Sequence, residues 1–493
     1  MSTQPNFFTL LGLPKNATAE QIRRAYHRAA RRFHPDMNSE PEAMELFLRI
    51  QEAYEVLSDP ERRALYTASI PVVSNPLPPI SLSTLYSQSA LPVLTEPQLV
   101  YALIKLSAPP DSEKHASPPL NVSLVLDRST SMRGERIDTV KAAAIDVVRQ
   151  LRPEDMLSIV VFSDRAKVLL SGLWRPDRNE IEKRIYEISA GGGTEILHGL
   201  QAGFAEVRRN LSKTYINHII LLTDGHTYGD EAACLELADQ ASKLGVGISG
   251  LGVGDEWNDV FIDKLVTRTG GSSLYVSKPA DIKQFLQSKF RSLGQAYACQ
   301  VSLKMETARE VALRDAYRLQ PEPTFLPPQS FLRLGGIPAG AELSILLEFL
   351  VAPLPASKHQ LSLIIGEFIL DIPYHIDQGY NLPLDLTIPV STAQKNGTPP
   401  AAILQAVSQI TLFRMQERAR LEYAAGNLES TGHQLKKLAG YLNAQGQDEL
   451  AHTVMIEAER LHKTQSFSQK GLKQIKYGTR GLLLPDNRLG RWE

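Results

Sequence analysis

A chain of 493 residues, 43% of them hydrophobic, is long enough for about three domains with ordinary cores. Its 53 basic and 54 acidic residues leave a net charge of -1, which excludes a global field that selects nucleic acid or an anionic membrane. The two cysteines, Cys234 and Cys299, exclude a disulfide framework and any four-cysteine zinc module.

No apolar run reaches the roughly 20 residues of a membrane helix, and Met1 to Phe8 lacks a basic region leading into an apolar core. A soluble, cytoplasmic protein with no membrane partner is expected. Residues 5–67 come first and are strongly helical in pattern. Thr18 to Gln21 reads Thr-x-x-Gln, a capping box, and opens a helix with Ile22, Ala25, Tyr26, Ala29, Ala30 and Phe33 at helical spacing. The opposite face is basic, with Arg23, Arg24, Arg28, Arg31 and Arg32 against the single acid Glu20. His34-Pro35-Asp36 then forms a loop, and a second amphipathic helix turns Phe47, Ile50, Tyr54 and Leu57 back on the first, as in an antiparallel hairpin.

With Phe7 to Leu13 ahead of it, and Gln51 to Pro60, Arg62, Arg63 and Tyr66 behind, this all-α segment resembles the J-domain of the DnaJ family. Thr67 stands where that family commonly has aspartate. The resemblance implies docking on a DnaK-type ATP-dependent chaperone and acceleration of its ATP hydrolysis. His34, Pro35 and Asp36 would form the stimulating loop, and the five arginines the docking face. A basic face of this kind steers the encounter with an acidic partner surface. The chain has no G-x-x-x-x-G-K-[ST] phosphate loop, so it is expected to activate an ATPase rather than to be one.

Residues 68–95, with prolines at 71, 76, 78, 79 and 92 and many serines, read as a linker. The glycine-phenylalanine linker and cysteine-rich zinc module of standard DnaJ proteins are missing from the sequence. Residues 96–119 hold one strand, Gln98 to Ser107, ahead of a polar, proline-bearing stretch.

From 120 to 293 strand and helix patterns alternate, the signature of a doubly wound, Rossmann-like α/β domain with a parallel sheet. Asn121 to Leu126 is an apolar run that breaks at Asp127, and Asp127-x-Ser129-x-Ser131 places a carboxylate and two hydroxyls on the turn into a helix. Gly191 to Ile196 is a glycine-rich loop that presents the Thr194 hydroxyl. Ile219 to Thr223 is a second apolar strand, ending in Asp224-Gly225. Alone, Asp-x-Ser-x-Ser reads as a hydroxyl-rich helix entry that caps backbone amides; the combination with the loop and the second aspartate is what points to hard-cation chemistry.

These residues resemble the von Willebrand factor A domain and its metal-ion-dependent adhesion site. The resemblance implies that Ser129 and Ser131 bind the ion directly, that Thr194 and Asp224 do so directly or through water, and that Asp127 supports the site. It also implies one coordination position open to a carboxylate of a protein partner. Magnesium is the expected ion, with manganese or calcium as alternatives.

Residues 298–390 switch to period two and suggest an antiparallel β-sandwich, which the strand within 96–119 is expected to join, making the α/β domain an insertion. Residues 400–462 return to helical patterns with short turns, as in a bundle. Residues 463–493 are read as a solvated basic tail, since Lys463, Lys470, Lys473, Lys476 and Arg480 face no acid up to 480. Only Phe467 and Tyr477 offer stacking there, so nucleic acid is not an expected partner.

Catalysis is not expected. Phosphatases of the haloacid-dehalogenase type place a second aspartate two residues after the first, where this chain has Ser129, and neither a Gly-x-Ser-x-Gly elbow nor His-Glu-x-x-His occurs. His198, His218 and His226 lie near the metal-site segments as isolated histidines. The expected function is that of a co-chaperone or adaptor which recruits a DnaK-type chaperone and captures a protein through a divalent ion. The alternatives are a metal-dependent signalling or assembly scaffold and, behind it, a magnesium phosphohydrolase.

Overall fold

The computed structural model describes residues 7–11, 13, 17–33, 41–69, 80–110, 112, 117–173, 178–225, 227, 229–373, 379–392 and 398–482, without the side chains of residues 9, 28, 31–33, 41–46, 64–65, 67–69 and 173. The chain begins with helices α1 (Phe7–Leu10), α2 (Ala19–Phe33), α3 (Pro41–Ser58) and α4 (Pro60–Ser69). The capping box forms as its spacing predicts: the Thr18 amide donates to Gln21 Oε1 at 2.7 Å and the Gln21 amide to Thr18 Oγ1 at 3.3 Å. The inward stripe of α2 meets that of α3. Ile22, Ile50 and Leu57 are buried with Phe8, and Tyr26 stacks on Tyr54 with ring centroids 4.0 Å apart. Each such aliphatic burial contributes about 1.5–3 kcal/mol. The Phe7 amide donates to the Tyr66 hydroxyl at 2.9 Å, which ties α4 back to α1.

Residues assigned from sequence to a linker then enter a β-sandwich. Strands β1 (Ser81–Tyr86), β2 (Leu91–Pro92) and β3 (Gln98–Ser107) precede the α/β domain. The alternation in Ser81–Tyr86 is hidden by the flanking prolines, and it becomes a strand because β3 offers a full antiparallel register, from Ser81 opposite Ser107 to Tyr86 opposite Ala102. The linker reading of 68–95 is therefore corrected at both ends, since α4 also runs on to Ser69.

The α/β domain comprises β4 (Leu120–Asp127), α5 (Glu135–Gln150), β5 (Met156–Phe162), β6 (Ala166–Leu173), α6 (Arg178–Tyr186), α7 (Ile196–Arg209), β7 (Ile216–Thr223), α8 (Glu231–Lys243), β8 (Gly247–Val253), α9 (Asp259–Thr267), β9 (Ser273–Val276) and α10 (Ile282–Gly294). Its sheet has the order β6-β5-β4-β7-β8-β9, parallel except for β6. Strand β6 is absent from the sequence reading, in which alternation implies a helix after β5. Instead Ser163–Arg165 turns tightly, with the Ser163 amide donating to the Arg165 carbonyl at 3.1 Å, and the chain returns as an antiparallel edge. On β4, Val122, Leu124 and Leu126 join the core under α5 and α10, and Val125 joins the core under α7 and α8.

The sandwich resumes with β10 (Ala296–Thr307), β11 (Val311–Gln320), β12 (Thr324–Leu326), β13 (Phe331–Pro338), β14 (Glu342–Val351), β15 (Gln360–Asp371) and β16 (Gly379–Ser391). Its two sheets have the orders β1-β3-β14-β11-β12 and β13-β10-β15-β16-β2. Strand β3 pairs with β14 over ten residues, so the α/β domain lies between strands of one sandwich.

Helices α11 (Ala401–Ala424), α12 (Leu428–Ala444), α13 (Asp448–Thr464) and α14 (Gln469–Gly481) close the described chain. Helix α11 lies on the sandwich through Ile403, Ala406, Ile410 and Phe413 against Leu103, Tyr317 and Leu346. The expected solvated tail is in part helix α14. Ser468 caps it by accepting from the Gly471 amide at 2.9 Å, and Lys473 and Lys476 are buried against the α/β domain, while Lys470 stays exposed. Among the described residues no helix is long and apolar enough to cross a membrane.

Candidate functional site

Strand β4 sits between β5 and β7, and the helices that follow β4 and β7 pack on opposite faces of the sheet. A crevice therefore opens at the carboxyl ends of β4 and β7, the place where open α/β sheets hold ligands. Asp127 ends β4 and Asp224 follows β7, so the two carboxylates enter that crevice side by side.

Asp127 is fully buried. It accepts from the Ser129 amide at 2.7 Å through Oδ1 and from the Thr223 hydroxyl at 2.6 Å through Oδ2. Burial, with the neighbouring charge of Asp224 adding to it, raises its carboxyl to about 6 against the opposing donors on Thr223 and Ser129. The Ser129 and Ser131 hydroxyls lie 3.0 Å apart, and Ser131 Oγ donates to Asp224 Oδ1 at 2.7 Å.

The glycine loop is fastened to the same turn. The Gly191 amide donates to the Arg128 carbonyl at 2.7 Å, and the Thr130 amide and hydroxyl donate to the Gly192 carbonyl at 3.0 and 2.9 Å. Gly192 has φ +90°, and a Cβ there would lie 2.4 Å from Asp164 Oδ2, so glycine is required. The loop leaves the Thr194 hydroxyl 3.2 Å from where a Cβ on Gly225 would stand, next to Asp224. Asp127, Ser129, Ser131 and Asp224 are thus linked in one cluster, with Thr194 on its border.

All these donors are hard oxygens, and two buried carboxylates side by side call for a cation, so the residue set fits a small divalent ion. Among the described residues no group of three or more histidine, cysteine, aspartate or glutamate side chains is placed to hold a metal ion, so the serine and threonine hydroxyls are a necessary part of this donor set. Two participants escaped the sequence reading. Thr223 holds Asp127 from the neighbouring strand, and Arg136, in the first turn of α5, forms an ion pair with Asp224 Oδ2.

The isolated histidines do other work. His218 is buried toward the opposite end of β7, 2.9 Å from Ser249 Oγ, and burial pushes its pKa down to about 3. His198 Nδ1 lies 3.0 Å from the Asp164 carbonyl, and His226 is outside the described residues. His34, Pro35 and Asp36 also lie outside the described residues, as do the side chains of Arg28, Arg31 and Arg32. Arg23 and Arg24 are exposed on α2, and Arg24 pairs with Glu20.

Helix α14 holds the rim of this domain. Lys476 pairs with Asp259 and, at 2.8 Å, with Asp263; Arg480 reaches Asp263 at 2.6 Å. Burial pushes the Asp263 carboxyl up, but Arg480 and Lys476 override it and hold the group well below the usual carboxylate range. Lys473 donates to the carbonyls of Asp255 and Trp257, the latter at 2.7 Å, and burial lowers its pKa to about 8.

Comparison with known proteins divides the chain the same way. The DnaJ domain model matches residues 6–67, the von Willebrand factor type A domain model residues 121–288, and a Sll0103-like C-terminal alpha-helical domain model residues 401–485. The protein sll0103 of Synechocystis sp. is 27% identical over 379 residues, covering 74% of this chain and 89% of that protein. Chaperone protein DnaJ 2 of Thermus thermophilus is 54% identical over 66 residues, which is 13% of this chain and 24% of that protein. Among solved structures, a von Willebrand factor type A protein from Catenulispora acidiphila superposes with TM-score 0.67 at 14% identity, over 82% of this chain and 96% of that one. The ArnB paralog VWA2 from Sulfolobus acidocaldarius gives 0.52 at 15% identity, over 83% and 100%. These two likenesses are of fold, and they extend well beyond the A domain itself. The chain is a fusion in which a DnaJ-family J-domain at the N-terminus is joined to a von Willebrand factor type A domain.

Proposed function

We propose that the protein is a co-chaperone and adaptor: its J-domain recruits a DnaK-type chaperone and stimulates ATP hydrolysis, while its A domain captures a protein partner through a divalent ion. The two domains are interaction modules by family, and the J-domain implies a DnaK-type partner. The observation that carries the A-domain reading is the meeting of Asp127, Ser129, Ser131 and Asp224 at the crevice between β4 and β7.

Ser129 and Ser131 would hold a magnesium ion directly, or manganese or calcium in its place, with Thr194 and Asp224 direct or through water. The ion would supply a positive centre able to accept a carboxylate oxygen from the partner. This chain's own contribution is to prepare the site. Thr223 and the Ser129 amide fix the Asp127 carboxylate, and Asp127 in turn fixes the turn that carries both serines. Toward the N-terminus of the chain, Arg23, Arg24, Arg28, Arg31 and Arg32 would steer an acidic chaperone surface onto α2, and His34, Pro35 and Asp36 would form the stimulating loop. The cytoplasm is the compartment this reading assigns.

The test is capture from native cytosol in magnesium or in chelator, with wild type, Asp127→Ala and His34→Gln. The expected result is one partner lost in chelator and in Asp127→Ala, and a DnaK-type chaperone lost in His34→Gln alone. Full retention of the first partner in chelator refutes the metal-dependent capture.

A further inference from the structure

A cavity of about 490 Å³ opens between the A domain and the β-sandwich. It lies at the amino-terminal edge of the six-stranded sheet, with His218 in its wall, about 20 Å along β7 from Asp224. Its volume is in the range of small-molecule sites.

Five cationic side chains line it against two carboxylates, but not all of them are available. Lys289 and Glu322 hold each other at 2.8 and 3.0 Å, and Ser272 also donates to Glu322. Arg318 is fully buried and spends every N–H on the protein. Its Nε donates to the Glu322 carbonyl at 2.8 Å, its Nη1 to the carbonyls of Gly270 and Leu334 at 2.7 Å each, and its Nη2 to the Gly271 carbonyl at 3.1 Å and Thr324 Oγ1 at 3.2 Å. That guanidinium is a pin through the domain junction. His218, held neutral, adds no charge.

What remains is Lys213, Lys243 and Arg333 against Asp371. Both lysines are exposed at the mouth, without a hydrogen-bond partner among the described residues. Arg333 is half-buried and donates to Ser302 Oγ at the long distance of 3.3 Å. Burial pushes the Asp371 carboxyl up, and Lys213 and Arg333 are the cations that oppose this shift, so the three charges share one space. Three cations about one carboxylate leave a local surplus of two. An arginine fork beside lysine point charges is the donor set that matches phosphate oxygens.

We propose that this cavity binds a small phosphorylated anion, seated between Arg333, Lys213 and Lys243 and bridging the A domain to the sandwich. The site is separate from the metal crevice and does not depend on it.

The test is calorimetric titration of the full chain with inorganic pyrophosphate, in chelator so that no divalent ion takes part, at ionic strength matched with chloride. Wild type is expected to show saturable one-site binding, and Arg333→Gln to weaken it by about tenfold or more, as loss of a charged hydrogen bond does. Lys213→Gln should weaken it less, because the group is exposed. Asp371→Asn should tighten it, a gain that misfolding does not produce. No saturable binding to wild type overturns the proposal, as do equal affinities across the variants. Tighter binding of citrate than of pyrophosphate overturns the assignment to phosphate.

Discussion

At Asp224 one carboxylate serves two claimants. Oδ1 accepts from Ser131, and Oδ2 pairs with Arg136, whose side chain is about one-third exposed. An ion that draws on Asp224 competes with that guanidinium. Arg136→Gln is therefore predicted to raise magnesium affinity by up to about fivefold, the worth of a partly exposed ion pair, as measured by titration calorimetry. Weaker binding in Arg136→Gln would mean that the arginine positions Asp224 instead. His218 gives a second residue-scale expectation. The unfolded chain protonates it near 6.5 and the folded chain only at about 3, so between these values a falling pH favours unfolding. At pH 5.5 this costs about 1.4 kcal/mol relative to neutral pH. Denaturant melts at pH 7.5 and 5.5 should show this loss in wild type and not in His218→Asn, with Lys289 and Glu322, whose charges act on the ring, kept in both proteins. An equal loss in both proteins would contradict it. The motif residues were legible because the Asp-x-Ser-x-Ser turn, the glycine loop and the second strand-aspartate each leave a local pattern, and the three in order point to one site. Arg136 and Thr223 were not, because their role exists only once β4 and β7 lie side by side.

At the scale of elements, helices with an apolar stripe were legible, and the strand-helix alternation located the sheet. Helix α14 was not. Its lysines fall on one face, which in isolation is the pattern of a solvated helix, and the partners that hold Lys476 and Arg480, Asp259 and Asp263, lie more than 200 residues earlier. Tyr477 stands between Trp257 and Tyr275, with ring centroids at 6.0 and 5.6 Å, and is nearly buried. Tyr477→Ala is predicted to cost about 3–5 kcal/mol, as truncation of a buried aromatic does, read from denaturant midpoints. A loss below about 1 kcal/mol, the size of a surface change, would show that α14 is not held there. Strands β1 and β6 were missed for a related reason: each is an edge strand whose identity comes from its neighbour, β3 or β5, more than from its own composition.

Across the whole molecule, the chain enters the sandwich with β1 to β3, leaves it for the A domain, returns with β10 to β16, and closes on both through α11 and α14. Among the described residues, the J-domain core draws only on those from α1 to α4 and the turns between them. Removing residues 1–69 is therefore predicted to leave the magnesium affinity of the remainder within about twofold, since sites without shared partners act independently; a larger change would couple the two ends. Domain identities were legible in the sequence, whereas the way the last helix bears on the A domain was not.

The central claim joins a working J-domain to this scaffold, and the most direct measurement is the rate of ATP hydrolysis by a purified DnaK-type chaperone with the full chain added. Wild type should raise that rate and His34→Gln should not, with magnesium-dependent partner capture by the variant intact. Equal stimulation by both proteins, or none by wild type, would contradict the account.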